Sequence, residues 1–158
     1  MTTTNFSKVF QSIYQLVIDN PKDLLFRICE LLKNEVYHYD WVGFYILEND
    51  KNELVLGPFA GKPTPHTHIP VGKGICGQVA ESGKTMIVQD VTQVDNYISC
   101  GLDVQSEIVV PILKNGKFVA ELDIDSHSPA PFKPEDEQFL TKVCDLLSAH
   151  FILDKGTE

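Results

Sequence analysis

Two cysteines stand in unusual company. Cys76 lies in "GICGQ", at the start of a short helical pattern, and Cys100 lies in "YISCG", among small and polar residues. Buried structural cysteines normally sit among apolar neighbours. Thiols in glycine-rich, polar segments point instead to nucleophilic attack, sulfenic acid or disulfide formation. The free N–H groups and dipole of a helix amino terminus favour a thiolate, so a lowered pKa is expected for Cys76. The two positions are far apart along the chain, and only the fold can unite them. Cys29 and Cys144 fall within helical patterns and read as core packing.

Acidic residues form a second group. Glu107 opens the otherwise apolar run "SEIVVP", and "AELDIDS" sets Glu121, Asp123 and Asp125 at alternate positions, on one face of one strand. Alternation alone favours a solvent-facing strand surface. The competing reading is a pocket floor that grips a cationic group such as an ammonium. Trp41 and Tyr45 share a face of an earlier strand, where they serve either as core or as the wall of a ligand cavity. His66 and His68 form a His-x-His pair ahead of Cys76, but structural zinc sites need a second compact ligand pair, so no metal is expected. Gly72-Lys73-Gly74 lacks the longer glycine-lysine-serine pattern of a phosphate loop.

The elements that must hold these groups are legible from periodicity. Residues 5–18 and "DNPKDLLFRICELLKNEV" read as amphipathic helices, the second capped by Asn20 with Pro21 in its first turn and Leu25, Ile28 and Leu32 on one face. "WVGFYILEND" and "ELVLGPFAG" form a hairpin through Asn49–Asn52, and "KTMIVQD" is a strand. "SEIVVPIL" and "KFVAELDIDS" flank an Asn115-Gly116 turn, and a last helix starts at Pro134 with three acids in its first turn. The sum is an α+β sandwich: a central antiparallel sheet of about six strands, long helices on one face, and loops 61–83 and 90–104 over the other. Both chemical cysteines fall in or beside those loops.

Bulk properties narrow the partners. The 158 residues suit one domain, and 43% hydrophobic with 22% charged residues is a globular composition. A net charge of -9 argues against nucleic acid or anionic lipid as main partner. No apolar run reaches spanning length and the first residues lack a secretion pattern, so cytoplasm, with resting thiols, is the expected compartment.

The segments "WVGFY", "LVLGPFAGK", "IPVGKGICG", "SEIVVPI", "LDIDS" and "FKPEDEQFL", in that order, resemble the free methionine-(R)-sulfoxide reductases, which are stand-alone GAF domains. The likeness covers about residues 38–150 and implies one GAF-like domain over residues 1–158. It implies reduction of free methionine (R)-sulfoxide by thiol, sulfenic acid and disulfide chemistry, with no cofactor and with thioredoxin as reductant. The resemblance makes Cys100 the nucleophile and Cys76 its resolving partner. It puts Glu107, Asp123 and Asp125 in the substrate pocket, with Glu107 the candidate proton donor, and makes Trp41 and Tyr45 its aromatic wall. A homodimer through the amphipathic first helix is expected. The chain departs from the family pattern where "GKPTPHTHIPVG" replaces a segment that usually holds a third cysteine, leaving His66 nearby. Gly101 follows Cys100 where an aspartate is usual, and Glu121 stands where an apolar residue is usual. A sensor that binds an amino-acid-like ligand without turnover, or a reductase of another small sulfoxide, are the alternative readings.

Overall fold

The structure, a computed structural model, describes residues 3–94, 97 and 103–151. The chain opens with helix α1 (Phe6–Asp19). Asn5 caps it by accepting a hydrogen bond from Lys8 N at 3.1 Å. Asn20 ends it in the left-handed conformation (φ 48°) and donates its N–H to Leu16 O at 2.8 Å. This corrects one expectation: Asn20 closes the first helix rather than opening the second. Asparagine tolerates φ > 0, and Pro21 cannot continue a helix, so the pair forms a stop signal. Helix α2 therefore starts later, at Leu24, and runs to Glu35 with Asp23 at its N-cap position. Leu25, Ile28 and Leu32 are buried on its inner face, as their spacing predicts.

Strands β1 (Trp41–Glu48) and β2 (Glu53–Ala60) make the expected hairpin. A short strand β3 (His68–Pro70), too brief for a periodic signal, adds an edge. Helix α3 (Gly74–Ser82) and strand β4 (Met86–Val88) follow. Strands β5 (Ser106–Lys114) and β6 (Lys117–Ser126) are joined through Asn115 and Gly116, both at positive φ (53° and 78°), the two-residue turn that suits strand twist. Helix α4 (Pro134–Leu147) is the last long helix, followed by a single 3-10 turn (Ser148–His150).

The six strands form one antiparallel sheet in the order β3-β2-β1-β6-β5-β4, with β1 and β6 central. Its two faces bury different things. Val42 and Phe44 of β1, Ala120, Leu122 and Ile124 of β6, and Ile108, Val110 and Ile112 of β5 pack against α1, α2 and α4. Cys29 and Cys144 belong to that core and donate their thiols to Pro58 O and Val110 O. Burial first of all pushes both thiols far above their ordinary pKa, so they are packing groups. The opposite face carries a smaller core built on Trp41, Tyr45, Leu54, Ile69, Ile75, Cys76, Val79 and Val109, roofed by α3 and by described parts of the loop before β5. Helix α3 thus lies apart from the long helices, on the face expected to be covered by loops.

A polar bolt ties α4 to the start of β1. Asp136, 2% exposed, accepts from Tyr39 Oη at 2.7 Å, from Lys133 N at 2.9 Å, and pairs with His38 Nε2 at 2.8 Å. Burial alone would raise its pKa, but the bonds from His38, the Lys133 backbone and Tyr39 outweigh it and hold the carboxyl below the usual range.

Candidate active site

Strand register builds a nine-position patch on the α3 side of the sheet. Across β1, β6 and β5, Trp41 faces Asp125, which faces Glu107; Gly43 faces Asp123, which faces Val109; Tyr45 faces Glu121, which faces Pro111. All four acids are buried: Glu107 is 3% exposed, Asp125 1%, and Glu121 and Asp123 0%. The solvent-facing reading of the "AELDIDS" alternation is therefore overturned. A period of two decides only that the acids share a face; the covering of that face by α3 and the 61–67 loop decides that it is interior.

The aromatic wall depends on a glycine. A Cβ on Gly43 would sit 2.4 Å from the Trp41 ring and 2.9 Å from Phe59 Cβ, so only glycine lets the indole lie over the strand. Trp41 stacks on Phe59 (centroids 5.6 Å, planes 18° apart) and lies 6.5 Å from the Tyr45 ring. Both rings tether the loop above. Trp41 Nε1 donates to Lys62 O at 3.0 Å, and Tyr45 Oη donates to His66 O at 2.8 Å. His66 thus contributes its carbonyl to holding the roof, a role that its side chain could not have signalled.

Cys76 enters from the roof as the third residue of α3. Its helix is pressed close to the preceding turn: Gly77 O accepts from Gly72 N at 2.8 Å, and a Cβ on Gly77 would stand 2.6 Å from Pro70 O. The thiol, 6% exposed, donates toward Glu107 Oε2 at 3.9 Å and also lies against Glu121 and Asp123. Here a second expectation fails. Burial, then the charges of Asp123, Glu121 and Glu107, push the Cys76 thiol well above its ordinary pKa. The helix amino terminus is outweighed by three acids in a dry site.

The acids perturb one another in the same sense. Burial and the neighbouring Asp123 raise Glu121 well above the usual carboxylate range. Asp123 is raised by burial, with Glu107 and Cys76 pulling it partly back. The carboxyl oxygens of Glu121 and Asp123 are sealed from solvent and make no hydrogen bond of ordinary length. Four acids buried on one face suit a cationic group that arrives with a ligand. Cys76, Glu107 and Asp123 each offer one ligand atom within 4.8 Å of the others, a spacing that a divalent cation could also bridge. His66 and His68 stand outside that group.

The fold thus brings together Cys76, Glu107, Asp123, Asp125, Trp41 and Tyr45, six of the seven expected site residues. Cys100 lies outside the described residues. Glu121 was visible in the acidic row but was not assigned to the site, because only the burial of its face reveals it. Among the described residues no helix is long and apolar enough to cross a membrane.

Comparison with known proteins agrees with this architecture. The model of the family described as GAF domain matches residues 20–151. The free methionine-R-sulfoxide reductase of Escherichia coli (strain K12) is 40% identical over 113 residues, which cover 72% of this chain and 67% of that protein. The free methionine-R-sulfoxide reductase of Saccharomyces cerevisiae is 36% identical over 133 residues, covering 83% of this chain and 72% of that protein. The structure of fRMsr of Staphylococcus aureus in complex with substrate superposes with a TM-score of 0.85 at 36% identity, covering 94% of this chain and 97% of that one.

Proposed function

This chain belongs to the GAF domain family and, within it, to the free methionine-R-sulfoxide reductases, and from that footing we propose that it reduces the free amino acid L-methionine (R)-sulfoxide to methionine with its own cysteine thiols. The observation that carries this reading is the placement of a thiol among four acids buried on one face of the sheet. A free amino acid brings its own ammonium, which Glu107, Asp123 and Asp125 can bind by charge-assisted hydrogen bonds. Its S-methyl end lies against Trp41 and Tyr45. A peptide-bound methionine has no such ammonium, so the same acids exclude it.

In the proposed reaction the Cys100 thiolate attacks the sulfoxide sulfur, Glu107 supplies a proton to the oxygen, and that oxygen passes to the cysteine sulfur. Methionine leaves reduced by two electrons and Cys100 is left as a sulfenic acid. The Cys76 sulfur then attacks Cys100, the S–O bond breaks, hydroxide leaves as water with the thiol proton, and a disulfide remains. A thioredoxin-type dithiol restores both thiols. Association as a homodimer is supported by the exposed apolar side chains Tyr14 and Ile18 on one face of α1.

The test is a thiol count on reduced protein before and after addition of free methionine (R)-sulfoxide, with methionine assayed in parallel. Two thiols lost and one methionine released per chain, with R preferred over S, are expected. Full activity in Cys100→Ser refutes the cysteine mechanism. Binding of methionine with no sulfoxide consumed replaces the reductase by a ligand sensor.

A further inference from the structure

Three donors converge from three elements: the Cys76 sulfur from α3, a Glu107 carboxyl oxygen from β5 and an Asp123 carboxyl oxygen from β6. The three atoms lie within 4.8 Å of one another, and the sulfur is 3.9 Å from Glu107 Oε2. Around one tetrahedral zinc, with sulfur at about 2.3 Å and oxygen at about 2.0–2.2 Å, neighbouring donors stand about 3.6 Å apart. Small side-chain adjustments therefore close the set onto one ion. Asp123 supplies a second observation. It is fully buried, and among the described residues neither of its oxygens has a hydrogen-bond partner of ordinary length. A buried carboxyl in that state calls for a cation. A substrate ammonium serves the two carboxyls and makes no use of the sulfur, whereas a metal ion uses all three donors. Local spacing at His66 and His68 gave no reason to expect a metal, because the donors come from positions 76, 107 and 123.

We propose that Cys76, Glu107 and Asp123 form a zinc-binding site in the reduced protein. The donors select the ion. Calcium takes roughly six to eight oxygens and magnesium a near-octahedral oxygen shell, so a thiolate with two carboxylates suits neither. Zinc accepts sulfur and carboxylate oxygen together, and three protein donors leave its fourth position to water. Binding exchanges protons for the metal. The thiol gives up its proton, any proton on the two acids leaves as well, and S–Zn and O–Zn bonds form with no change of oxidation state. The acids that keep the proton on Cys76 in the metal-free protein are no obstacle, because a dication neutralises them and reverses their effect on the thiol. The site stands on this geometry; its consequence for turnover rests on the reductase reading. Zinc and the substrate ammonium then compete for Glu107 and Asp123, and a coordinated Cys76 sulfur is withheld from disulfide closure.

The experiment titrates reduced, metal-free protein anaerobically with cobalt(II), a spectroscopic stand-in for zinc, and then with zinc. One cobalt per chain is expected, with a near-ultraviolet thiolate-to-cobalt band and the intense visible absorption of a four-coordinate ion. An equivalent of zinc should abolish both signals, and a large excess of magnesium or calcium should abolish neither. Asp123→Asn and Glu107→Gln, neutral and close in shape, should each weaken cobalt binding by about a hundredfold or more. Cys76→Ser should lose the thiolate band, and Cys100→Ser should keep it. The band also separates this site from His66 and His68, whose nitrogens produce none. Thermal melting checks that each variant is folded, and with three donors on three elements the remaining variants decide where one is not. Wild type that binds no cobalt, a complex without the thiolate band, a band that survives Cys76→Ser, or full affinity in Asp123→Asn and Glu107→Gln overturns the proposal. The titration contains no sulfoxide, so the two readings fail separately. Cobalt bound by a protein that forms no methionine from the sulfoxide refutes the reductase reading and leaves the zinc site standing. Sulfoxide reduced by a protein that binds no cobalt refutes the zinc site alone.

Discussion

Replacing Glu121 by methionine should make the protein more stable. The two side chains have the same number of atoms along the chain, so contacts with Tyr45 and Pro111 are largely kept, and a volume-conserving swap costs under about 1.5 kcal/mol. Against that, the substitution removes a fully buried carboxyl whose oxygens find no ordinary hydrogen bond, worth about 1–3 kcal/mol. A net gain of about 1 kcal/mol near neutral pH corresponds to roughly 2–4 °C in Tm for a chain of this size. The gain must depend on pH in a fixed direction. The folded pKa of Glu121 is raised above its ordinary 4.5, so above that pH the unfolded chain sheds a proton that the folded chain retains. Wild-type stability therefore falls as pH rises through that window, by up to about 1.4 kcal/mol per pH unit until the folded carboxyl itself ionises. In Glu121→Met this loss is absent, and the two melting curves converge near pH 4.5 and separate above it. Scanning calorimetry of reduced protein from pH 4 to pH 8 measures both quantities. A variant no more stable than wild type at pH 7.5, or a difference that does not change with pH, would refute the account of the acid cluster.

Three other outcomes are expected. Asp123→Asn removes a charge proposed to bind the substrate ammonium, and kcat/KM for free methionine (R)-sulfoxide should fall by about 100-fold, equivalent to about 3 kcal/mol for a buried charge-assisted bond. The loss should shrink for a small sulfoxide without an amine, and an equal loss on both substrates would reject the assignment. Gly77→Ala forces a Cβ to within 2.6 Å of the Pro70 carbonyl, both on backbone that cannot yield, so urea titration should show about 2–3 kcal/mol of lost stability. Asp136→Ala leaves the Tyr39 hydroxyl, 1% exposed, without its acceptor and should lower stability by about 3 kcal/mol at pH 7. Because the Asp136 carboxyl is held below its usual range, its contribution is full above about pH 4 and fades as pH falls below that, so the penalty of the variant should fade in acid.

Periodicity made the sheet legible, because each strand has one face to bury in each core, and an alternation such as that from Ala120 to Asp125 assigns faces without reference to any partner. The same alternation misled about environment. An acidic face looks like a wet face until something covers it, and the cover here is assembled from α3, the 61–67 loop and the hydrogen bonds of Trp41 and Tyr45 to Lys62 and His66. None of those bonds has a local sequence signature, since each uses a backbone carbonyl that any residue supplies. The thiol was misjudged for the same reason. The helix amino terminus at Gly74 is local and readable, whereas the acids that overrule it arrive from β5 and β6, thirty and more positions away. Local dipoles act within a turn, while a dry interior strengthens every charge it admits. The residue least explained by local pattern, Glu121, is accordingly the one whose removal should raise stability, since a buried carboxyl without an ordinary hydrogen bond is a conflict of the kind that folds keep near functional sites.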